Sequence, residues 1–192
     1  MALAEKLQLT AEEYLQGETT AEFKHEFMDG EVWAMVGASD PHVLIAMNIA
    51  FLLKHSLKNQ PCRTYISDMK VKVAEANAFF YPDILVSCDS QDRNQRLYKE
   101  HPTFIAEVLS PSTEAFDRGR KFAAYRLLDS LQSYWLIDSQ KKSVDCFERT
   151  AQGDWLLRSF TADQAGLSIP ALHFACSLAQ LYDDVLLDPI ET

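Results

Sequence analysis

The apolar residues of SDPHVLIAMNIAFLLKHSL recur at helical spacing from Val43 to Leu57 and predict the clearest helix of the chain. Asp40 is placed to cap it, and Pro41 suits its first turn. Upstream, LTAEEYLQ reads as a short helix, with Thr10 as cap and Glu13 three residues later in a capping-box pattern. FKHEFMDGEVWAMV reads as a hairpin, because Asp29-Gly30 is a strong turn dipeptide between β-prone residues. Short strand-like runs follow in CRTYISDMKVKV, AFFYPDILVSC and TFIAEVLS. The polar stretch that separates the last two, within residues 88–102, suits a mobile surface loop. DRGRKFAAYRLL predicts a further helix; SYWLID, SVDCFER and DWLLRSF predict strands; and PALHFACSLAQLYDDVL predicts a closing helix. This order implies an α/β (α+β) protein, a mixed sheet with helices against it.

Composition narrows the class. A hydrophobic share of 47% fits a folded globular chain, and 192 residues suffice for a substantial core. No apolar run approaches the roughly 18–20 residues that span a bilayer. The N-terminal MALAEKLQLTAEEYLQ lacks the basic-then-apolar layout of a signal peptide, so a cytoplasmic, membrane-free protein is expected. Cys62, Cys88, Cys146 and Cys176 are scattered without a CxxC, which predicts reduced structural thiols and no zinc knuckle. A formal net charge of -10 excludes a constitutive nucleic-acid coat, while leaving room for a local site where metal ions offset the repulsion.

Two carboxylates sit where apolar residues are expected. In FIAEVLSPST, Glu107 interrupts a run that would otherwise cross a core, and burying an unpartnered carboxylate costs several kcal/mol. In FFYPDILVSC, Asp83 follows Pro82, which cannot donate to a ladder and marks a strand start, edge or bulge. Taken alone, Pro82-Asp83 also reads as an ordinary turn pair. If the two runs are neighbouring strands, the acids converge at one end of the sheet and repel, unless one is protonated or a cation lies between them. Mg2+ coordinates carboxylate oxygens plus water, so a metal site explains the pair economically; pairing with Lys70, Lys72 or Arg63 is the alternative. Side-chain alternation puts Ile105 and Leu109 on the face of Glu107. In the following helix, Lys121 shares a face with Ala124, Tyr125 and Leu128, while Arg118, Arg126 and Asp129 fall elsewhere. Periodicity alone leaves Lys121 either reaching inward or snorkelling along the surface.

YPDILV, FIAEVLSPST and DRGRKFAAYRLLDSLQSYWLID, together with HEFMDGEVWAM and the His42 that follows, resemble the Uma2 family. This family, formerly a domain of unknown function abundant in cyanobacteria, is a branch of the PD-(D/E)xK superfamily that includes restriction enzymes. The resemblance runs from about residue 10 to 185. It implies a restriction-endonuclease-like core in one domain over residues 1–192, with an N-terminal helix and hairpin at 8–36, the nuclease-like core at 39–150 and a C-terminal strand and helix at 154–187. Asp83 and Glu107 match the two acids of the motif. Its lysine would fall at position 109, where this chain has Leu109, so Lys121 from the next helix becomes the counterpart. The resemblance implies Mg2+ (or Mn2+) held by Asp83, Glu107 and the Val108 backbone carbonyl, with Lys121 orienting or deprotonating the attacking water. Glu26, Glu31 and His42 are candidate auxiliary residues, each also explicable structurally.

The implied activity is DNA phosphodiester hydrolysis by a metal-dependent endonuclease, acting as a homodimer. The cations available for phosphates are Arg93, Arg96 and Lys99 in the long loop, with Arg118 and Arg120 before the helix, a thin set against 28 acids. A catalytically silent nuclease-fold protein acting as an interaction or regulatory module is the competing expectation.

Overall fold

A reciprocal cap starts the chain: the Glu13 N–H donates to Thr10 Oγ1 at 3.2 Å, and the Thr10 N–H donates to the Glu13 carboxylate at 2.8 Å. This begins α1 (Ala11–Glu18) in a computed structural model that describes residues 9–161 and 166–187. Asp29 and Gly30 both take positive φ, 49° and 85°, the conformation that a two-residue hairpin needs. They join β1 (His25–Met28) to β2 (Glu31–Ala34), with Met28 opposite Glu31. In α2 (Asp40–Ser56) the N-cap is Ser39, one residue before the expected Asp40, which lies instead in the first turn with Pro41.

The apolar runs that follow are each cut in two. CRTYISDMKVKV turns at Ser67–Met69 between β3 (Arg63–Ile66) and β4 (Lys70–Val73). AFFYPDILVSC breaks at Pro82-Asp83 between β5 (Ala78–Phe80) and β6 (Ile84–Ser87). The missing N–H of Pro82 ends one ladder, and the two halves join different sheets. After α3 (Gln91–Asn94) and β7 (Tyr98–Lys99) come the long β8 (Pro102–Leu109) and α4 (Glu114–Phe116). A π-helical turn, Asp117–Lys121, leads into α5 (Phe122–Tyr125). Then come β9 (Ser133–Asp138), β10 (Ser143–Arg149), β11 (Trp155–Thr161), β12 (Leu167–Ile169), β13 (Phe174–Cys176) and α6 (Leu178–Leu181).

A six-stranded sheet runs β11-β10-β9-β8-β6-β3, antiparallel except for the parallel β8–β9 pair. A smaller sheet runs β2-β1-β5-β4-β7. The expected mixed α/β architecture, sheets flanked by helices, is the one observed. Alternation along β8 divides the core. Phe104, Ala106 and Val108 pack with Ile45, Ile49 and Leu53 of α2. Ile105 and Leu109 pack on the other face with Phe116, Tyr125 and Phe80, where the smaller sheet closes over the larger. Tyr14, Phe27 and Phe79 pin α1 to the smaller sheet, with the first two rings stacked at 5.0 Å.

Three expectations are corrected. Residues 170–186 are not one helix: a hairpin of β12 and β13 precedes the short α6, because Leu167, Ile169, Phe174 and Cys176 alternate into the core with the strand period of two. The 88–102 segment is anchored rather than a loose loop. Asp92, buried, accepts from Ser87 Oγ at 2.6 Å and from the N–H groups of Glu100 and His101 at 2.9 and 3.1 Å. Lys99, also buried, donates to the carbonyls of Asp92 and Gln95. Of the four cysteines, Cys62 and Cys88 form a disulfide that ties the β3 end to the β6 end, while Cys146 and Cys176 are free and buried. Residues 1–8, on which part of the leader expectation rests, lie outside the described residues.

Two measurements check these contacts. A thiol reagent should titrate two cysteines in unfolded, unreduced protein and four after reduction. Both free thiols should stay silent in the native state, since burial pushes them up, Cys176 to about 12. Asp92→Ala leaves the half-buried N–H groups of Glu100 and His101 without their acceptor and should lower the free energy of urea unfolding by about 1–3 kcal/mol.

Candidate active site

Asp83 and Glu107 meet because β6 and β8 pair with Ile84 opposite Ala106, so the next residues outward face each other. The contact is reciprocal. The Asp83 N–H donates to Glu107 Oε2 at 3.2 Å, and the Val108 N–H donates to Asp83 Oδ2 at 2.7 Å. Pro82 makes this possible: released from the β5 ladder, the chain turns and carries Asp83 across from one sheet to the other. His42, in the first turn of α2, adds Nε2 at 3.0 Å from Asp83 Oδ1.

Lys121 reaches inward. It is buried together with Ala124, Tyr125 and Leu128, the face that helical spacing gave it. Its ammonium lies 2.9 Å from Glu26 Oε1, 3.3 Å from Glu107 Oε1 and 3.2 Å from Asp117 Oδ1. Glu26 is brought in by β1 and held by the Tyr81 N–H at 2.9 Å; Tyr125 donates its hydroxyl to Glu107 Oε1 at 3.1 Å. The surface alternatives are engaged elsewhere. Lys70 bonds the Tyr81 hydroxyl at 2.9 Å, Lys72 pairs with Glu100, and Arg63 stands exposed at the far end of β3 opposite Ser87.

Four carboxylates thus surround one lysine and one histidine in a buried setting. Burial drives Glu107 well above the usual carboxylate range. Lys121 pulls it back only in part, and the charges of Asp117, Asp83 and Glu26 push it up again. Glu26 is raised by burial too, against Lys121. Burial would lower Lys121, but Glu107, Glu26 and Asp117 outweigh it and hold the ammonium firmly charged. Burial likewise opposes a charged His42, and the bond to Asp83 overrides it.

This excess of negative charge is what a divalent cation relieves. Among the described residues no three His, Cys, Asp or Glu side chains form a ready-made cage. Magnesium does not require one, because it keeps several waters and takes one or two carboxylates. Asp83, Glu107 and the adjoining backbone of Val108 supply hard oxygens of that kind and number at the wall of a cleft of about 1100 Å³. The donor set fits Mg2+ or Mn2+.

Of the auxiliary candidates, Glu26 and His42 join the cleft, whereas Glu31 lies outside its lining and pairs with Arg120 at 3.0 Å. Two participants were missed from the sequence. Asp117 stands four residues before Lys121, a spacing that could have identified it, and Tyr125 was placed on the right face without a role. The expected phosphate-binding cations are largely committed: Arg118 to Glu114 and Asp145, Arg93 to the Pro61 carbonyl, and Lys99 to buried carbonyls.

The Uma2 family model, described as "Putative restriction endonuclease", matches residues 11–180. The chain belongs to the Uma2 family. Two "Uncharacterized" proteins of Synechocystis sp., slr1290 and sll1609, are 38% and 35% identical to it over 168 and 167 residues. These alignments cover 87% and 86% of this chain and 88% and 94% of the relatives. A crystal structure from Anabaena variabilis ATCC 29413, described as "a putative nuclease belonging to DUF820", superposes with a TM-score of 0.77. It shares 17% identity over 93% of this chain and 99% of that one, a likeness of fold. The Uma2 chain thus has a nuclease-like fold, and no described helix is long and apolar enough to cross a membrane.

The charge arrangement predicts unequal costs in EDTA. Lys121→Met leaves three buried acids without their cation and should lower the unfolding free energy by about 3–5 kcal/mol. Glu107→Gln keeps the shape and removes an excess charge, so its cost in the same urea titration should stay near 1–2 kcal/mol, about that of one poorly matched donor.

Proposed function

We propose that this chain is an endonuclease that hydrolyses DNA phosphodiester bonds with Mg2+ (or Mn2+) held by Asp83, Glu107 and the Val108 carbonyl. The observation that carries the reading is the convergence of Asp83, Glu107 and Lys121 at the wall of one cleft, within a family described by restriction endonuclease chemistry. When bound, such an ion polarises a phosphate oxygen and lowers the pKa of a coordinated water.

The chain's own residues supply the rest. Lys121, held charged by three acids, offsets charge developing in the transition state. The surrounding acids favour the charged ammonium, which supports a role through its charge. Glu26 and Asp117 fix its ammonium, and Tyr125 fixes the Glu107 carboxylate. His42 orients Asp83. The described residues carry one such site, so cutting both strands of a duplex in one encounter calls for a homodimer. Among the described residues β11 is the edge strand of the larger sheet, and its Leu156 and Leu157, about half exposed, offer a surface for one.

Calorimetric titration of Mn2+ together with a supercoiled-plasmid assay tests this reading. Wild type should bind the ion and nick the plasmid, and Asp83→Ala and Glu107→Ala should lose both properties. Lys121→Gln, compared where it is folded, should retain metal binding and cut about 10²–10³-fold more slowly. A wild type that binds no metal would sink the proposal. Metal binding without any cutting would leave a regulated or differently targeted enzyme.

A further inference from the structure

α2 is apolar on two opposite sides. Ile45, Ile49 and Leu53 are buried in the core, and a surface helix ordinarily sets polar residues opposite such a stripe. Between residues 40 and 54, however, the exposed positions are Asp40, Val43, Met47, Phe51 and Lys54. Val43, Met47 and Phe51 are 52%, 56% and 67% exposed. Val36 and Ile66 extend the patch, so five of the eleven large apolar side chains exposed among the described residues line this one cleft. Contiguous apolar surface of this kind marks a contact with another molecule.

The order of these residues identifies that molecule. Their spacing of three, four, four and three is the same read from either end, with Met47 at the centre. The ends carry opposite charges: Asp40 begins the stripe and Lys54 closes it, about 21 Å away at 1.5 Å per residue. Among the described residues neither has an ion-pair partner. A two-fold interface sets residue i against j and j against i, so it needs a surface complementary to itself. This stripe has that property. A second α2 turned antiparallel about Met47 places Val43 against the partner's Phe51 and Asp40 against the partner's Lys54, at both ends. His42, two residues after Asp40, already touches Asp83, so the partner's Lys54 arrives where the acidic end of the cleft begins.

We propose that two copies of this chain pair through the outer face of α2, antiparallel about Met47, each placing its Lys54 beside the acidic end of the other's cleft. The pairing stands on this face alone. Its use, a second site for the second strand and a cation near the acids, rests on the nuclease reading above. It makes α2, in place of β11, the face that joins the copies.

Light scattering on the full chain in EDTA, without DNA, tests the pairing apart from any cutting. Wild type should run at twice 21.8 kDa and dissociate on dilution. Met47→Glu sets like charges together on the axis and should weaken self-association at least about 100-fold. Asp40→Lys makes the net charge of -10 less negative, which by itself favours association, yet it puts two cations together at each end. It should therefore weaken the pair by about 3- to 10-fold, and adding Lys54→Asp should restore it. Leu157→Glu on β11 should leave the pair intact. All these positions are exposed, so the variants should melt like wild type. A wild type that stays monomeric, a dimer indifferent to Met47→Glu, or one dissolved by Leu157→Glu instead would overturn the proposal. So would an Asp40→Lys variant that pairs as tightly as wild type. A dimer with the stated behaviour that neither binds Mn2+ nor nicks plasmid would keep this inference and remove the nuclease reading. A monomer that nicks plasmid would do the reverse.

Discussion

The charge of Lys121, enclosed by Glu26, Glu107 and Asp117, is the interaction on which the assembly of the two sheets depends. The three acids come from β1 of the smaller sheet, β8 of the larger sheet and the π-helical turn, so one ammonium links three separate elements. In a low-dielectric interior each of these contacts is strong, and removing the ammonium would leave three acids without a counter-charge. The balance is uneven, three acids to one base, with Asp83 a fourth acid beside them. An interior that keeps this surplus favours whatever positive charge can reach it, a proton or a metal ion. The raised Glu107 and the proposed metal site are two expressions of that constraint.

Leu109 shows why the lysine comes from the helix. It shares the face of Glu107 and is buried among Phe116, Leu136 and Ile105. A lysine at this position would take its place in an apolar cluster that helps close the smaller sheet over the larger. Position 121 approaches from the opposite layer and reaches the same carboxylate, while the π turn keeps Asp117 and Lys121 together on the buried side and Arg118 and Arg120 in solvent. Single π turns recur at functional sites for this kind of reason, a local change in which side chains face inward.

The parts of this architecture legible in the sequence are those fixed by local chemistry. Thr10 and Glu13, Asp29-Gly30, and the periodicity of α2 each act within a few residues, and alternation along β8 put Glu107 on its observed face. The parts that were illegible depend on partners distant in the chain. Nothing near Cys62 or Cys88 indicates that 26 residues of separation close into a bridge. The 88–102 segment looks like solvent-facing polar chain until the Asp92 carboxylate is seen to be buried, accepting from the Ser87 hydroxyl and two N–H groups. LSIPALHFAC carries a strand pattern too short to separate from a helix by periodicity, and only the core beneath it decides. Glu26 has no local mark either, since its partner Lys121 lies 95 positions away.

Those same partners bear on how an acidic protein could handle a polyanion. Arg118, Arg120, Lys24 and Lys72 are each neutralised by an acid, so the surface gives little long-range attraction to phosphate. Affinity would have to come from contact rather than steering, and contact surface is what the cleft offers: the apolar face of α2, with a lysine at the far end. A nuclease of duplex DNA built this way would depend on additional protein surface, such as a second copy.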